Sequence, residues 1–280
     1  MNNTWRSDII PDPATINWVG WFRVILRATP IFLILGLGLL LLLFVRLFER
    51  PIWHQHRPWT PHITKTVCRL CLFVLGLGYR VSGTQMQGLG AVVANHSTWL
   101  DILVLNASQN IYFVAKSEVA NWPVIGWLAR ATGTVFIRRT GRDAKVQKEI
   151  FESRLTSGHR LLFFPEGTST DGTLVLPFKS TLFAAFFTKK LQPILSIQPV
   201  AVVYTPPEGQ NAQHYGWWGA MDLAPHLIKI LANRTQGSVT VTYHNALQVS
   251  DFENRKDLAL ACETAIRSTF PKEPQSFQEN

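Results

Sequence analysis

Between residues 28 and 45 the chain carries no Asp, Glu, Lys or Arg. The run reads Ile31-Phe32-Leu33-Ile34-Leu35-Gly36-Leu37-Gly38 and then five leucines. About 18–20 apolar residues cross a bilayer as a helix. A segment apolar on every face, as 39–43 is, does not suit a helix lying on a soluble core. It is followed by Arg46 and Glu49-Arg50-Pro51, not by a small-residue cleavage site, so it reads as a retained anchor and not a signal peptide. The expectation is a membrane helix over about 28–47 within an N-terminal anchor region, 1–61.

Composition supports a membrane setting. The 27 Lys and Arg against 18 Asp and Glu give +9, a balance suited to an anionic surface. With 47% hydrophobic residues, only 16% charged ones, 10 Trp and 17 Phe, that surface is lipid headgroups and not nucleic acid. Arg23 and Arg27 precede the helix, and Arg46, Arg50, Arg57, Lys65, Arg69 and Arg80 lie beyond it. The heavier downstream side predicts that the C-terminal part of the chain faces the cytoplasm of a bacterial-type inner membrane. Cys68, Cys71 and Cys262 are an odd set, which agrees with a reducing compartment. Cys68-Arg-Leu-Cys71 has metal-site spacing but no second pair, and it lies in an apolar helical run, so these read as packing thiols. His54-Gln55-His56 has no acidic or sulfur ligand near it, and no metal site is expected.

A second apolar stretch, 62–79, is shorter and interrupted by Arg69. It predicts a helix lying in the interface and not across it. From 81 onward strand-like runs (91–94, 111–115, 133–137, 160–164, 197–204, 238–244) alternate with helix-like ones (99–107, 122–131, 143–157, 180–190, 222–233, 251–270). That alternation predicts an α/β domain over 62–270, with a mixed, mostly parallel sheet flanked by helices. Residues 271–280 read as a polar tail.

Two strand ends hold the chemistry. The apolar run 90–94 is followed by Asn95-His96-Ser97-Thr98-Trp99-Leu100-Asp101. A histidine at the C-terminal end of a strand stands where open α/β sheets place their ligands. An aspartate at the start of the next helix can hold Nδ1–H and leave Nε2 to accept a proton from a hydroxyl. The second end is Phe163-Phe164-Pro165-Glu166-Gly167-Thr168, which sets a carboxylate and hydroxyls beside backbone amides able to cradle an oxyanion.

Together the two ends resemble the glycerolipid acyltransferase family of the lysophosphatidic acid acyltransferase type, over roughly 62–245. Asn95-His96 with Asp101 is similar to its first block. Gly133-Thr134-Val135-Phe136-Ile137-Arg138-Arg139 is similar to the second, Phe164–Thr168 to the third and Gln198-Pro199-Val200-Ala201 to the fourth. Ala115-Lys116-Ser117-Glu118 resembles a lysine segment between the first two. The resemblance implies that His96 deprotonates an acceptor hydroxyl attacking an acyl thioester while Asp101 orients the imidazole. It implies that Lys116 and Arg139 hold an anionic headgroup, with Asn95, Glu166, Gly167, Thr168 and Lys179 among the residues positioning the acceptor. No cofactor is implied. The acyl donor is a co-substrate, either acyl carrier protein or coenzyme A thioester, and the other partners are a lyso-lipid and membrane lipids.

Two departures bear on the acceptor. Arg138 stands where the family commonly has an acid, and Ser169-Thr170-Asp171-Gly172 replaces an arginine after the Pro-Glu-Gly-Thr turn. Asp171 is then expected to meet an ammonium. The segments Thr170-Asp171-Gly172 and Trp217-Trp218-Gly219-Ala220-Met221-Asp222-Leu223-Ala224-Pro225-His226 resemble the branch acylating lyso-ornithine lipid or related sulfur-containing aminolipids. Synthesis of phosphatidic acid from 1-acyl-glycerol-3-phosphate is the alternative. A membrane-anchored lipid-binding scaffold is the reading from another class, and it has no use for the base.

Overall fold

The computed structural model describes residues 5, 15–138 and 144–270, so Arg139 and the tail 271–280 lie outside the described residues. Helix α1 (Trp18–Trp53) has 36 residues and opens ten residues ahead of the uncharged run, because the Asn17 side chain accepts the Gly20 N–H at 2.8 Å. Its first turns are docked on the domain. Arg23 and Arg27 donate at 2.6–2.8 Å to the carbonyls of Leu231, Ala232 and Asn233 at the end of α6 (Leu223–Ala232), where cations complement the helix dipole. Farther along, Phe32, Leu33, Leu37, Leu40 and Leu47 stand exposed. Among the described residues α1 is the one helix long and apolar enough to cross a membrane.

Helix α2 (Thr60–Leu75) returns along α1, so close that a Cβ on Gly38 would lie 2.4 Å from Val67 Cγ2. Its first turn has no side-chain cap of its own. Buried Glu49 of α1 supplies one, accepting from the N–H of Trp59 and Thr60 and from Thr60 Oγ1 at 2.8–3.1 Å. Cys68 and Cys71 pack inward as buried, free thiols, and burial pushes Cys71 up to about 11. The helix expected to reach 79 stops at Leu75, where Gly76 adopts a left-handed φ of 79°. Residues Gly78–Ser82 become strand β1 instead, a mostly exposed edge whose burial does not alternate.

The remaining strands are β2 (Gly90–Ala94), β3 (Tyr112–Lys116), β4 (Val135–Ile137), β5 (Leu161–Phe163), β6 (Ser196–Thr205), β7 (Ser238–Tyr243) and β8 (Leu247–Gln248). Their order is β1-β7-β6-β2-β5-β3-β4, with β8 also on β6. Pairing is parallel except where β6 meets β7 and β8, the mixed, mostly parallel sheet that the alternation predicts. Two apolar layers cover it. Val92 and Ala94 face the layer built with α2, α3 (Leu100–Ser108) and α6. Ala91 and Val93 face the one built with α5 (Ala144–Thr156) and α7 (Arg255–Arg267). A short α4 (Ile125–Thr132) precedes β4. The helix expected over 180–190 is a 3₁₀ turn, Ser180–Phe186, which buries Phe183 and Phe186 three residues apart, the repeat of that tighter helix.

Candidate active site

β2 and β5 are neighbours in parallel register, and Val93 pairs with Phe163. His96 and Glu166 therefore stand three positions beyond the same pair, at the C-terminal edge of the sheet. The two turns are joined there: the His96 backbone N–H donates to Glu166 Oε1 at 2.7 Å, and the Thr170 N–H donates to His96 O at 2.9 Å.

Asp101 sits in the first turn of α3 and is fully buried. Its Oδ2 accepts from His96 Nδ1 at 2.7 Å and from the N–H of Ser97 and Thr98 at 2.8 and 3.0 Å. Its Oδ1 accepts from Tyr204 Oη at 2.7 Å. A carboxylate that accepts from Nδ1 holds the imidazole in the Nδ1–H tautomer. The Phe164 ring lies flat against the imidazole, centroids 4.0 Å apart and planes 12° apart. The histidine side chain keeps 19% of its surface exposed while Asp101 keeps none. This is the geometry of a general base: one ring nitrogen is fixed, the ring is clamped on one face, and Nε2 is left to the substrate.

The other expected residues separate into two groups. Lys116 is exposed at the C-terminal end of β3, on the same sheet edge. Lys179 is partly exposed, and its backbone N–H ties to Pro165 O at 2.9 Å. Arg139 lies outside the described residues. The remaining polar groups are spent inside the protein. Asn95 prolongs β2 with its side chain, donating to Val202 O at 2.9 Å and accepting from Val202 N at 2.8 Å. It clamps β2 to β6, which runs past it. Glu166 accepts from His96 N and, through Oε2, from Leu176 N at 2.7 Å, and burial pushes it up to about 8 against those two donors. Gly167 N–H closes its own turn on Phe164 O at 3.1 Å, so the amides of Thr168 and Ser169, which donate to none of the described residues, are the ones left for an oxyanion. Thr168 Oγ1 accepts from Trp5 N and donates to Ser169 O, both at 3.3 Å.

Asp171 departs most from expectation. It is 4% exposed, its Oδ1 accepts from Thr173 N and Oγ1 at 2.9 and 2.8 Å, and its Oδ2 accepts from Gln213 Nε2 at 3.3 Å. The loop after β6 presses on it: a Cβ on Gly216 would sit 2.4 Å from Asp171 O. The carboxylate is turned into the protein and does not offer itself to an acceptor's ammonium.

Comparison with known proteins gives this edge its context. Residues 80–203 match the family model described as Acyltransferase. A lyso-ornithine lipid O-acyltransferase of Rhodobacter capsulatus is 57% identical over 264 residues, covering 94% of this chain and 96% of that protein. The chain belongs to the acyltransferase family. A lyso-ornithine lipid O-acyltransferase of Brucella abortus is 34% identical over 220 residues, 75% of this chain and 82% of that one. In fold, the acyltransferase is similar to the crystal structure of the 1-acyl-sn-glycerophosphate (LPA) acyltransferase PlsC from Thermotoga maritima, with a TM-score of 0.55, 20% identity and coverage of 87% of this chain and 95% of that one.

Three supports of the acyltransferase site lie beyond the two motifs. Tyr204, late in β6, holds Asp101; burial and the Asp101 charge raise it well above the usual tyrosine range, so it stays a donor. Trp217 N–H donates to Ser97 O at 2.8 Å. Trp99 Nε1 donates to Nδ1 of His226, which burial holds down at about 4 and therefore neutral. Tyr204 keeps the two-residue period of Val200 and Val202 on one strand face, the signal by which it could have been found. The contacts from 213–226 reach across a long loop and leave no periodic trace.

Proposed function

We propose that this acyltransferase moves a fatty acyl group from an acyl thioester to the hydroxyl of a lyso-aminolipid, lyso-ornithine lipid or a sulfur-containing relative, at a membrane surface. The single observation carrying the reaction is the His96 Nδ1 contact of 2.7 Å with a fully buried Asp101. His96 Nε2 takes the hydroxyl proton as the oxygen adds to the thioester carbonyl. The tetrahedral oxyanion then collapses, the C–S bond breaks, and the imidazolium returns its proton to the leaving thiolate. No acyl-enzyme is needed, and His96 ends as it began. In this reading the amides of Thr168 and Ser169, which donate to none of the described residues, serve the oxyanion, a contribution of roughly 3–4 kcal/mol in acyl-transfer enzymes generally.

The names of the relatives at 57% and 34% identity support the acceptor class. The donor is an acyl carrier protein or coenzyme A thioester, both anionic and suited to a chain of net charge +9. In this reading α1 anchors the enzyme in a bacterial inner membrane with α2 along the interface and the sheet on the cytoplasmic side. Purified enzyme, one acyl thioester and matched lyso-ornithine lipid and 1-acyl-glycerol-3-phosphate make the test. Faster turnover of lyso-ornithine lipid is expected. Equal or faster turnover of the phosphate acceptor overturns the aminolipid assignment and leaves phosphatidic acid synthesis in its place.

A further inference from the structure

With Asp171 turned inward, the chain must present another anion if it is to hold an ammonium. A groove of about 510 Å³ opens at the C-terminal edge of the sheet between β4, α5 and the 3₁₀ turn Ser117–Asn121. Lys116 pairs with Ile137, so Arg138 and Glu118 leave the sheet one and two positions beyond that pair, on opposite strands. Both line the groove. Glu118 is exposed and, among the described residues, accepts from Ser117 Oγ at 3.3 Å, and Arg138 is exposed, with Gln147 Nε2 donating to its backbone carbonyl. Neither forms an ion pair with a described residue. Phe136, Val146 and Ile150 make the apolar side of the same groove. One wall is therefore greasy, and the described residues of the rim include one positive and one negative charge with no ion pair between them.

We propose that this groove binds the zwitterionic headgroup of the acceptor, Arg138 taking its carboxylate and Glu118 its ammonium. The inference rests on the aminolipid reading above and names the residues that select it. The guanidinium fork matches a carboxylate, and a carboxylate accepts from an ammonium. Distance permits it. β2 and β3 flank β5, and strands lie about 4.8 Å apart, so the β3–β4 end is about 10–15 Å from His96 along the edge. In lyso-ornithine lipid the reacting hydroxyl lies on the amide-linked acyl chain, several bonds from the amino acid's two charges. The hydroxyl thus reaches His96 while the headgroup occupies the groove, its methylene stem on the apolar wall. A phosphomonoester brings no cation for Glu118, which opposes it instead.

The experiment uses full-length enzyme and three acceptors: lyso-ornithine lipid, its analogue with the side-chain ammonium replaced by methyl, and its analogue lacking the carboxylate. Glu118→Gln lowers kcat/KM for the full acceptor about tenfold, through KM, but that of the ammonium-free analogue less than about twofold. Arg138→Met shows the mirror pattern, costing the full acceptor about tenfold and the carboxylate-free analogue little. Glu118→Asp and Arg138→Lys recover part of the loss. Both positions are exposed, and an unchanged melting temperature confirms that the variants fold. If each variant affects all three acceptors alike, or none, the groove is not the headgroup site although the aminolipid reading stands. If the wild-type enzyme ignores lyso-ornithine lipid and takes 1-acyl-glycerol-3-phosphate, the aminolipid reading and the groove assignment fall together.

Discussion

The turn after β2 and the turn after β5 leave the same sheet edge in register, yet they use their polar groups in opposite ways. In the first, one atom stays unspent: Asp101 collects the donors, Phe164 lies against the ring, and His96 Nε2 has no partner among the described residues. In the second, nearly every side-chain oxygen is consumed by nearby backbone or side chains. Glu166 holds two amides from different segments, and Asp171 holds a turn and Gln213. A conspicuous motif can therefore be a brace. The Pro-Glu-Gly-Thr turn braces the His96 backbone through Glu166, and in the proposed reaction its chemical part is confined to the amides after Gly167.

The sharpest break in that comparison comes from the first turn. His96→Ala is expected to lower kcat by about a thousandfold or more, and Asp101→Asn by about a hundredfold to ten-thousandfold. Neither should release the protein from membranes. Steady-state assays beside circular dichroism and membrane fractionation check this. More than a few per cent of wild-type activity in His96→Ala would remove the general base.

Glu166 should fail differently, through stability. Glu166→Ala leaves two buried amides, those of His96 and Leu176, without acceptors, at about 1–3 kcal/mol each. A pH effect separates the charge from the bracing. The folded value near 8 lies above the ordinary 4.5, so between these the folded protein keeps a proton that the unfolded chain has released. The group's contribution to stability therefore falls as pH rises from about 4.5 to 8. Buried His159, His214 and His226, held at about 3, 4 and 4, act in the opposite sense, costing stability as pH drops below about 6.5. Glu166→Gln cancels only the first slope, so the difference in melting temperature between wild type and variant should change steadily across pH 5–8. A constant difference would show that Glu166 does not carry its proton in the folded state.

Tyr204→Phe tests the first turn more gently. It removes one donor from Asp101 Oδ1 and leaves the ring packing intact, which predicts about a tenfold loss in kcat with little change in KM. A positioning role lowers kcat at an unchanged melting temperature. Loss of activity that follows a fall in melting temperature would reduce Tyr204 to packing.

The fold was readable where period and burial agree. Strands β2, β5 and β6 are apolar on both faces because both are covered, and each lies within two residues of where the composition places it. β1 and β8 were not readable, since a short, largely exposed edge carries no pattern. His96 and Asp101 stand out because their spacing across a strand end itself produces the contact. The fate of Asp171 was hidden for the converse reason. Its partner Gln213 and the pressing Gly216 are more than forty residues away, and no local rule tells whether a loop carboxylate turns out or in.

Asp171 supplies the smallest expected effect and the most direct measure of that difference. Were it an ammonium ligand, Asp171→Asn would remove the charge at the headgroup and cost a zwitterionic acceptor about tenfold or more. In a bracing role, the substitution keeps Oδ1 for Thr173 N and Oγ1 and alters only the 3.3 Å contact with Gln213, whose amide can turn to meet the new donor. About 1 kcal/mol of stability or less is then at stake. The proposed preference for lyso-ornithine lipid over 1-acyl-glycerol-3-phosphate should then stay within about twofold of wild type. Asp171→Arg is a different experiment, because a long cation has no room beneath Gly216 and should unfold the loop before it reaches any substrate. Paired acceptor assays on Asp171→Asn and Glu118→Gln compare the two anions directly: a loss of selectivity in the first and none in the second would move the headgroup back to the β5 turn.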